Sequence, residues 1–323
     1  MKTKVLELLK SARNVAIYSH INSDCDAMGS SLALKEALEL LGKNVDVFSN
    51  SSFPTSFEFY GDLSFVNKKT LDGYDLAVCL DTANEARLGK FKYTYRKGVK
   101  NVLVIDHHHA ANELYGKLNY VLNASATAEI LYDIIVSLGV KINTKIAKFL
   151  ISGILTDTGR FTHSVTENTF VVVSKLLAVG GFVIEDVVNP IFNSMTDNTF
   201  KMLKKVYNYM EFFCEGRFAL VVLKRSDFVE TGTTLDDTDA FPDLALQLAS
   251  VKFCILASED DKGYFRVSFR SKGDISARAV AESFGGGGHL NASGCKIFGE
   301  YEDVKQKLID STLSVLGWKK WQI

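Results

Sequence analysis

The feature of this sequence that most constrains its fold is an alternation of short apolar runs with helix-like patterns through its first half. The apolar runs predict buried strands at residues 15–19, 45–49, 76–81 and 102–106. Between the first two runs, residues 29–41 carry apolar side chains at helical spacing and end before Gly42, a natural helix C-cap. Strand–helix–strand alternation is typical of a parallel sheet that is covered by helices on both faces.

The rest of the chain divides into a helical stretch and a region of strands. Further helices are predicted at 126–138, 144–156 and 167–179, and the pattern changes after Gly180 and Gly181. Later segments predict a helix at 199–212, strands at 217–224, 251–258 and 263–270, and a helix at 275–284. At 323 residues the chain is longer than a single hydrophobic core typically supports. We therefore predict an α/β domain over 1–185, a linker over 186–197 and a smaller α/β domain over 198–323.

Charge and composition exclude several classes of protein. Lys plus Arg total 37 and Asp plus Glu total 38, whereas proteins that hold long nucleic acids usually have a clear basic excess. No apolar run approaches the roughly 18 residues that span a bilayer. The five scattered cysteines fit reduced thiols rather than a disulfide framework. We therefore predict a cytoplasmic protein without membrane partners, and the sequence leaves open whether it forms a homodimer.

Polar residues that can bind metals follow the predicted strands. Ligands of open parallel sheets bind beyond the carboxyl ends of the strands, where these residues would lie. The candidates come from four separate segments of the chain: His20, Asp24 and Asp26; Asp81; Asp106, His107 and His108; and Asp157.

Each candidate also has a purely structural interpretation. An aspartate after a strand commonly caps a helix or forms a turn, which would explain Asp81, Asp24, Asp26 or Asp157 one at a time. Together, five carboxylates and up to three imidazoles exceed the needs of one ion, so the set predicts two divalent ions. Mixed carboxylate and imidazole ligands favour an ion such as Mn²⁺ over Mg²⁺ or Ca²⁺.

These motifs, in this order, resemble those of the DHH phosphoesterases. The match rests on the segment His-x-Asn-x-Asp-x-Asp-x-x-Gly-Ser at 20–30, on Asp81, on Asp-His-His at 106–108 and on Asp157. Residues 266–273 and the segment Gly-Gly-Gly-Gly-His-Leu-Asn-Ala-Ser-Gly at 285–294 resemble the DHHA1 module. The layout is similar to that of bifunctional oligoribonuclease and pAp phosphatases. Stand-alone pApA and cyclic-dinucleotide phosphodiesterases share it.

The resemblance implies an active site in the cleft between the two domains and a role for each ligand. One metal ion would be held by His20, Asp24 and Asp81. The second ion would be held by the following residues: Asp26, Asp81, His107 and Asp157. Asp81 would bridge the ions, His108 would face the scissile phosphate and Asp106 would orient the histidines. Ser23 departs from the family pattern, where proline is common.

The glycine run before His289 has two interpretations. In the first, it is a flexible loop. In the second, it forms a nest of backbone N–H groups that binds an anion, and its position after the predicted helix favours this second interpretation. In the second interpretation a terminal phosphate of the substrate would be bound by Arg270, Ser271, Gly286, Gly287, Gly288 and His289. Such a site, at a set distance from the metals, would select substrates by length.

The predicted function is therefore a manganese-dependent phosphoesterase. Its substrates would be short oligoribonucleotides, cleaved to mononucleotides, and 3′-phosphoadenosine 5′-phosphate (pAp), cleaved to AMP. Hydrolysis of pApA or cyclic-di-AMP remains open at this point, because the motifs are shared. An inactive nucleotide-binding regulator is a remote alternative, since every implied ligand is present.

Overall fold

The computed structural model describes residues 1–50, 59–108, 115–238 and 241–319. The chain forms two compact units, Met1–Ser194 and Met195–Ile323. Residues 186–197, predicted as a linker, include most of a helix, Glu185–Phe192, whose Val187 is buried in the core of the first unit.

The first unit is built on a five-stranded sheet in the order β2-β1-β3-β4-β5. Its strands are β1 (Asn14–Ser19), β2 (Asn44–Phe48), β3 (Leu76–Leu80), β4 (Asn101–Asp106) and β5 (Leu118–Val121). All neighbouring strands pair in parallel, which confirms the predicted sheet. Strand β3 is buried at every position, as expected for a parallel strand covered on both faces.

Helices flank this sheet. They are α1 (Lys2–Ser11), α2 (Cys25–Leu40), α3 (Thr127–Ser137), α4 (Thr144–Asp157), α5 (Glu167–Leu177) and α6 (Glu185–Phe192). Helix α2 begins four residues before the predicted start at Gly29, because the Asp24 side chain accepts hydrogen bonds from the amides of Asp26 and Ala27. This early start brings Asp26 into the helix, on its buried side.

The second unit contains a six-stranded mixed sheet in the order β10-β11-β9-β8-β7-β6. The strands are β6 (Glu211–Phe213), β7 (Phe218–Leu223), β8 (Phe253–Glu259), β9 (Tyr264–Ser271), β10 (Gly287–Gly288) and β11 (Ala292–Phe298). Only β7 and β8 pair in parallel among these described strands. The helices of this unit are α7 (Asp197–Asn208), α8 (Arg225–Thr231), α9 (Ala277–Glu282) and α10 (Tyr301–Leu316).

One predicted element of the second unit is wrong. The helix predicted over 199–212 ends at Asn208, and residues 211–213 form strand β6. Phe213 packs in the core with Phe218, so burial against the neighbouring strand outweighs the helical pattern of this segment.

None of the helices in the described part of the chain has the length and apolar character needed to cross a bilayer.

Candidate metal centre

The metal-ligand candidates converge at the carboxyl edge of the first sheet. His20 follows β1, Asp81 follows β3, and His107 follows β4. Asp157 is the last residue of α4. Separate elements that end at one edge thus place imidazoles and carboxylates within reach of each other, as the parallel topology requires.

A first cluster comprises His20, Asp24 and Asp81, whose ligand atoms all lie within 4.8 Å of one another. Nε2 of His20 is 3.3 Å from Oδ2 of Asp81 and 3.7 Å from Oδ2 of Asp24. The other carboxylate oxygen of Asp24 caps helix α2. The capping interpretation of Asp24 is therefore correct, and it is compatible with metal binding because the two functions use different oxygens.

A second cluster comprises Asp26, His107 and Asp157, again with ligand atoms within 4.8 Å. Nε2 of His107 is 3.0 Å from Oδ2 of Asp157 and 3.5 Å from Oδ1 of Asp81. Asp81 thus directs Oδ2 to the first cluster and Oδ1 to the second. One carboxylate with its oxygens divided in this way has the geometry of a bridging ligand.

The backbone of Asp81 is held in the left-handed region, with φ of 56°. Aspartate tolerates this region better than most residues, because its short side chain can interact locally. The amide of Asp81 donates to the carbonyl of Ile105 in the next strand, 3.1 Å away. The side chain is 2% exposed, so this backbone conformation places a carboxylate inside the edge of the sheet.

Asp106 organises the histidine pair that follows it. Its Oδ1 accepts hydrogen bonds from the amides of His107 and His108, at 2.7 and 3.0 Å, and from Nδ1 of His108 at 2.8 Å. Any contact that His108 makes with a substrate phosphate must then go through Nε2.

The charges of the site are strongly interdependent. Burial opposes protonation of His20, but Asp24 and Asp81 outweigh it and raise its pKa to about 10. Burial also opposes protonation of His107, but Asp157, Asp26 and Asp81 outweigh it and raise the pKa of His107 to about 10. Burial, together with the charges of Asp157 and Asp81, raises the pKa of Asp26 well above its usual value. The carboxylates therefore need cationic partners at this site.

The donor set fits divalent ions. Nε2 of His107 is buried and, although it lies 3.0 Å from Oδ2 of Asp157, it makes no well-aligned hydrogen bond within the described part of the chain, whereas polar atoms buried in proteins are nearly always paired. An imidazole nitrogen among carboxylate oxygens is a typical ligand of transition-metal ions. A cation in the second cluster would satisfy this nitrogen and offset the charge of the aspartates around it.

Sequence reasoning missed several residues that contact the candidate ligands. The Thr127 hydroxyl donates to Oδ1 of Asp81 at 3.1 Å, and the carbonyl of Ala124 lies 3.3 Å from Nδ1 of His107. The Arg87 guanidinium lies 3.0 Å from Nδ1 of His20. Hydroxyl and backbone groups at these positions have no sequence signature of their own.

Ser23, the departure from the family pattern, is tied into the loop by its hydroxyl. This group donates to the His20 carbonyl at 2.7 Å and lies 2.9 Å from the hydroxyl of Ser19 and 3.0 Å from that of Ser49. Side-chain hydrogen bonds thus hold the loop at the position where proline would stiffen it.

In the second unit, Arg270 and Ser271 are adjacent on β9 and therefore point to opposite faces of the sheet. Arg270 is half-buried, with Nε 3.5 Å from Oδ1 of Asp243. The Ser271 hydroxyl is buried, donates to the carbonyl of Ile275 and accepts from Asn291. Ser271 therefore holds a loop, and Arg270 lies on the other face.

The glycine run is neither a flexible loop nor a complete nest. The amides of Gly285 and Gly286 donate to the carbonyls of Glu282 and Ala281, so these two amides are unavailable to an anion. Gly287 and Gly288 form β10 and pair with β11. A Cβ at Gly288 would lie 2.6 Å from the carbonyl oxygen of Ala292, so close strand packing requires this glycine.

His289 is exposed next to this strand pair. Its amide donates to the carbonyl of Ala292, which is paired with Arg270 across the sheet. His289 and Arg270 therefore flank Ala292 at one end of the sheet.

Comparison with known protein families divides the chain as its motifs do. The N-terminal domain model of the DHH family matches residues 14–154. The DHHA1 domain model matches residues 218–316.

Full-length relatives are similar in sequence. The chain is 29% identical to the bifunctional oligoribonuclease and PAP phosphatase NrnA of Bacillus subtilis, over 96% of this chain and 97% of that protein. It is 30% identical to the protein of the same name from Thermus thermophilus, over 91% and 88% of the two chains.

Solved structures share the fold. An exopolyphosphatase-related protein from Bacteroides fragilis superposes with a TM-score of 0.88 at 24% identity, over 97% of both chains. The exonuclease RecJ bound to manganese gives a TM-score of 0.58 at 15% identity, over 98% of this chain and 93% of RecJ.

Proposed function

We propose a substrate class for this chain on the premise that it belongs to the DHH family and is a phosphoesterase, as its two family domains and its full-length relatives show. The proposed reactions are hydrolysis of short oligoribonucleotides to mononucleotides and of pAp to AMP. The relatives that align over nearly their whole length are named for these two activities.

The observation that carries the catalytic part of the proposal is the division of the Asp81 oxygens between two clusters. With Oδ2 facing His20 and Oδ1 facing His107, Asp81 would join two ions, one held with His20 and Asp24 and the other with Asp26, His107 and Asp157. Mn²⁺ is the proposed ion, because both clusters mix imidazole with carboxylate.

Such a pair of ions supplies a water of lowered pKa and neutralises charge that develops on a phosphoryl group. The chain's own contribution is orientation. Asp106 holds His108 through Nδ1, which raises the pKa of His108 and favours a protonated ring. A protonated His108 would donate from Nε2 to a phosphate oxygen of the substrate.

Substrate length would be set in the second unit. Arg270 and His289 flank Ala292 at one end of the sheet, and both residue types bind phosphate. We assign Arg270 and His289 to binding of the terminal phosphate of the substrate. Gly287 and Gly288 form the strand next to His289 and would support it. The net charge of −1 agrees with short substrates held by a few local charges.

The experiment is a rate panel with the purified, manganese-loaded chain. Substrates are pAp, pApA, cyclic-di-AMP, and RNA from dinucleotides to long strands. We expect the highest kcat/KM with pAp and the shortest RNA. Equal rates on long RNA would contradict length selection, and a clear preference for pApA or cyclic-di-AMP would reassign the substrate within the same chemistry.

A further inference from the structure

A buried carboxylate that no motif includes lies beside the second cluster. Glu129 is in the first turn of α3 and is 5% exposed. Its carboxylate accepts hydrogen bonds from the amide of Ser125 at 3.2 Å, from the Ser125 hydroxyl, from the Asn168 side chain and from the Thr169 hydroxyl at 3.0 Å. Glu129 thus ties the segment before α3 to the start of α5.

The segment that Glu129 holds is the one that contacts the second cluster. Ser125 lies between Ala124, whose carbonyl is 3.3 Å from Nδ1 of His107, and the first turn of α3. An acceptor at Nδ1 favours the tautomer that leaves Nε2 unprotonated for a metal ion. The position of Ser125 therefore bears directly on the metal-binding nitrogen of His107.

The first turn of α3 orients Asp26 as well. The amides of Thr127 and Ala128 donate to Oδ2 and Oδ1 of Asp26 at 2.7 and 2.9 Å. These amides belong to the first turn of α3, so the position of this turn determines where both carboxylate oxygens of Asp26 lie. The Thr127 hydroxyl also donates to Oδ1 of Asp81, the oxygen that faces the second cluster.

The first cluster has its own supports. Asp24 is oriented by the amides of Asp26 and Ala27, and Nδ1 of His20 lies 2.6 Å from the Ile21 carbonyl. Within the described parts of the chain, the hydrogen bonds of the His20 and Asp24 side chains do not involve the segment that Glu129 holds. His20 and Asp24 are therefore supported by a different segment from Asp26 and His107, whereas Asp81, which faces both clusters, is contacted by Thr127.

We propose that Glu129 is a positioning residue for one of the two ions, the one held by Asp26, His107 and Asp157. It acts through Ser125 on residues 124–128, and this inference rests on the two-ion site of the proposed function. An ordinary helix-capping role would predict only a loss of stability. A positioning role predicts that the two ions are affected unequally.

The test is Glu129→Gln in the full-length chain, titrated with Mn²⁺ and followed by electron paramagnetic resonance and calorimetry. Glutamine keeps the size of the side chain but replaces one accepting oxygen with an NH₂ group, which cannot accept hydrogen bonds from the surrounding donors. We expect two ions and an exchange-coupled pair signal in the wild type. The variant should bind one ion with wild-type affinity and the other roughly 10- to 100-fold more weakly, with loss of the pair signal.

The matched control is Glu36→Gln. The Glu36 carboxylate also accepts hydrogen bonds from two side chains, those of Asn143 and Lys145, and it joins α2 to α4 outside both clusters. This control should bind both ions as the wild type does. Should Glu129→Gln fail to fold, Ser125→Ala removes only the hydroxyl contact and should weaken the same ion to a smaller degree.

The outcomes separate the two proposals. A wild type that binds fewer than two ions overturns the proposed function, and this inference with it. If the wild type binds two ions but the variants bind both with unchanged affinity, the positioning role alone is overturned. The same conclusion follows if the variants lose both ions equally.

Discussion

Gly153 packs against Asp26 so closely that a Cβ at position 153 would lie 2.5 Å from Oδ1 of Asp26. The same Cβ would lie 2.9 Å from the Cβ of Ala128. Helix α4 therefore passes beside this proposed ligand without room for a methyl group. The proposed metal site therefore depends on a glycine at position 153, because a larger residue would collide with Asp26.

Gly153→Ala should therefore displace Asp26 and weaken manganese binding. Overpacking costs about 1–3 kcal/mol, partly offset by the roughly 1 kcal/mol that alanine gains over glycine inside a helix. Metal affinity is thus a sharper measurement than stability. Gly73→Ala is the control, because a Cβ there meets nothing within 4 Å. Unchanged affinity in Gly153→Ala would show that Asp26 is not a ligand.

Asp81→Asn should remove turnover on every substrate. Both clusters lose the negative charge of the carboxylate that they share. The loss of activity should therefore exceed the roughly 100-fold typical of residues that only support a metal ligand. Asp75→Asn is the control, since that carboxylate binds the amides of Arg13 and Asn14 at the start of β1. Substantial activity in Asp81→Asn would refute the bridging assignment.

His289→Ala and Arg270→Ala should raise KM for short RNA and flatten the length preference, with less change in kcat. Steady-state kinetics on a dinucleotide and a long RNA measure both effects. Arg278→Ala is the control, because this exposed arginine is already paired with Glu282. A loss confined to kcat would contradict phosphate binding by the first two residues.

The metal-free chain should lose stability as pH rises. His20 and His107 have pKa values of about 10, above the ordinary 6.5, so the stabilisation they contribute is complete below about pH 6.5 and is lost as pH rises through about 10. Manganese competes with these protons, so its affinity should rise over the same interval. Thermal unfolding with and without Mn²⁺ across this range measures both trends. A metal-free stability that increased with pH would contradict the assigned charges.

Tyr60→Phe should destabilise the first unit by roughly 1–3 kcal/mol. The Tyr60 hydroxyl is buried, donates to the Cys25 carbonyl at 3.1 Å and lies 2.8 Å from the Ser152 hydroxyl, which joins α2 to α4. Urea unfolding measures the change. Tyr93→Phe is the control because Tyr93 is 79% exposed, and an equal effect there would show that burial is not the cause.

Regular elements with strong periodicity were predicted well. Strands β1 to β4 and helices α3 and α4 lie within one or two residues of their predicted bounds, whereas the short edge strand β5 was not predicted. Errors came where a local contact outweighs periodicity. The cap by Asp24 starts α2 early, and the burial of Phe213 turns the end of a predicted helix into a strand.

The glycine run shows the same limit in the second unit. A run of glycines predicts either conformational freedom or an anion nest, because both use backbone that has no side chains. The structure instead uses Gly288 for close packing against β11 and the Gly286 amide to end α9.

The sequence alone determined which side chains can bind metal and that a parallel sheet would gather them at one edge, because residue chemistry and apolar periodicity are local properties of the chain. Only the tertiary structure decided how the Asp81 oxygens are divided, that Gly153 and Thr127 contact the proposed ligands, and that Glu129 holds the segment beside them. These relationships join residues that are distant in sequence, and their hydrogen bonds and close contacts exist only after the elements have packed.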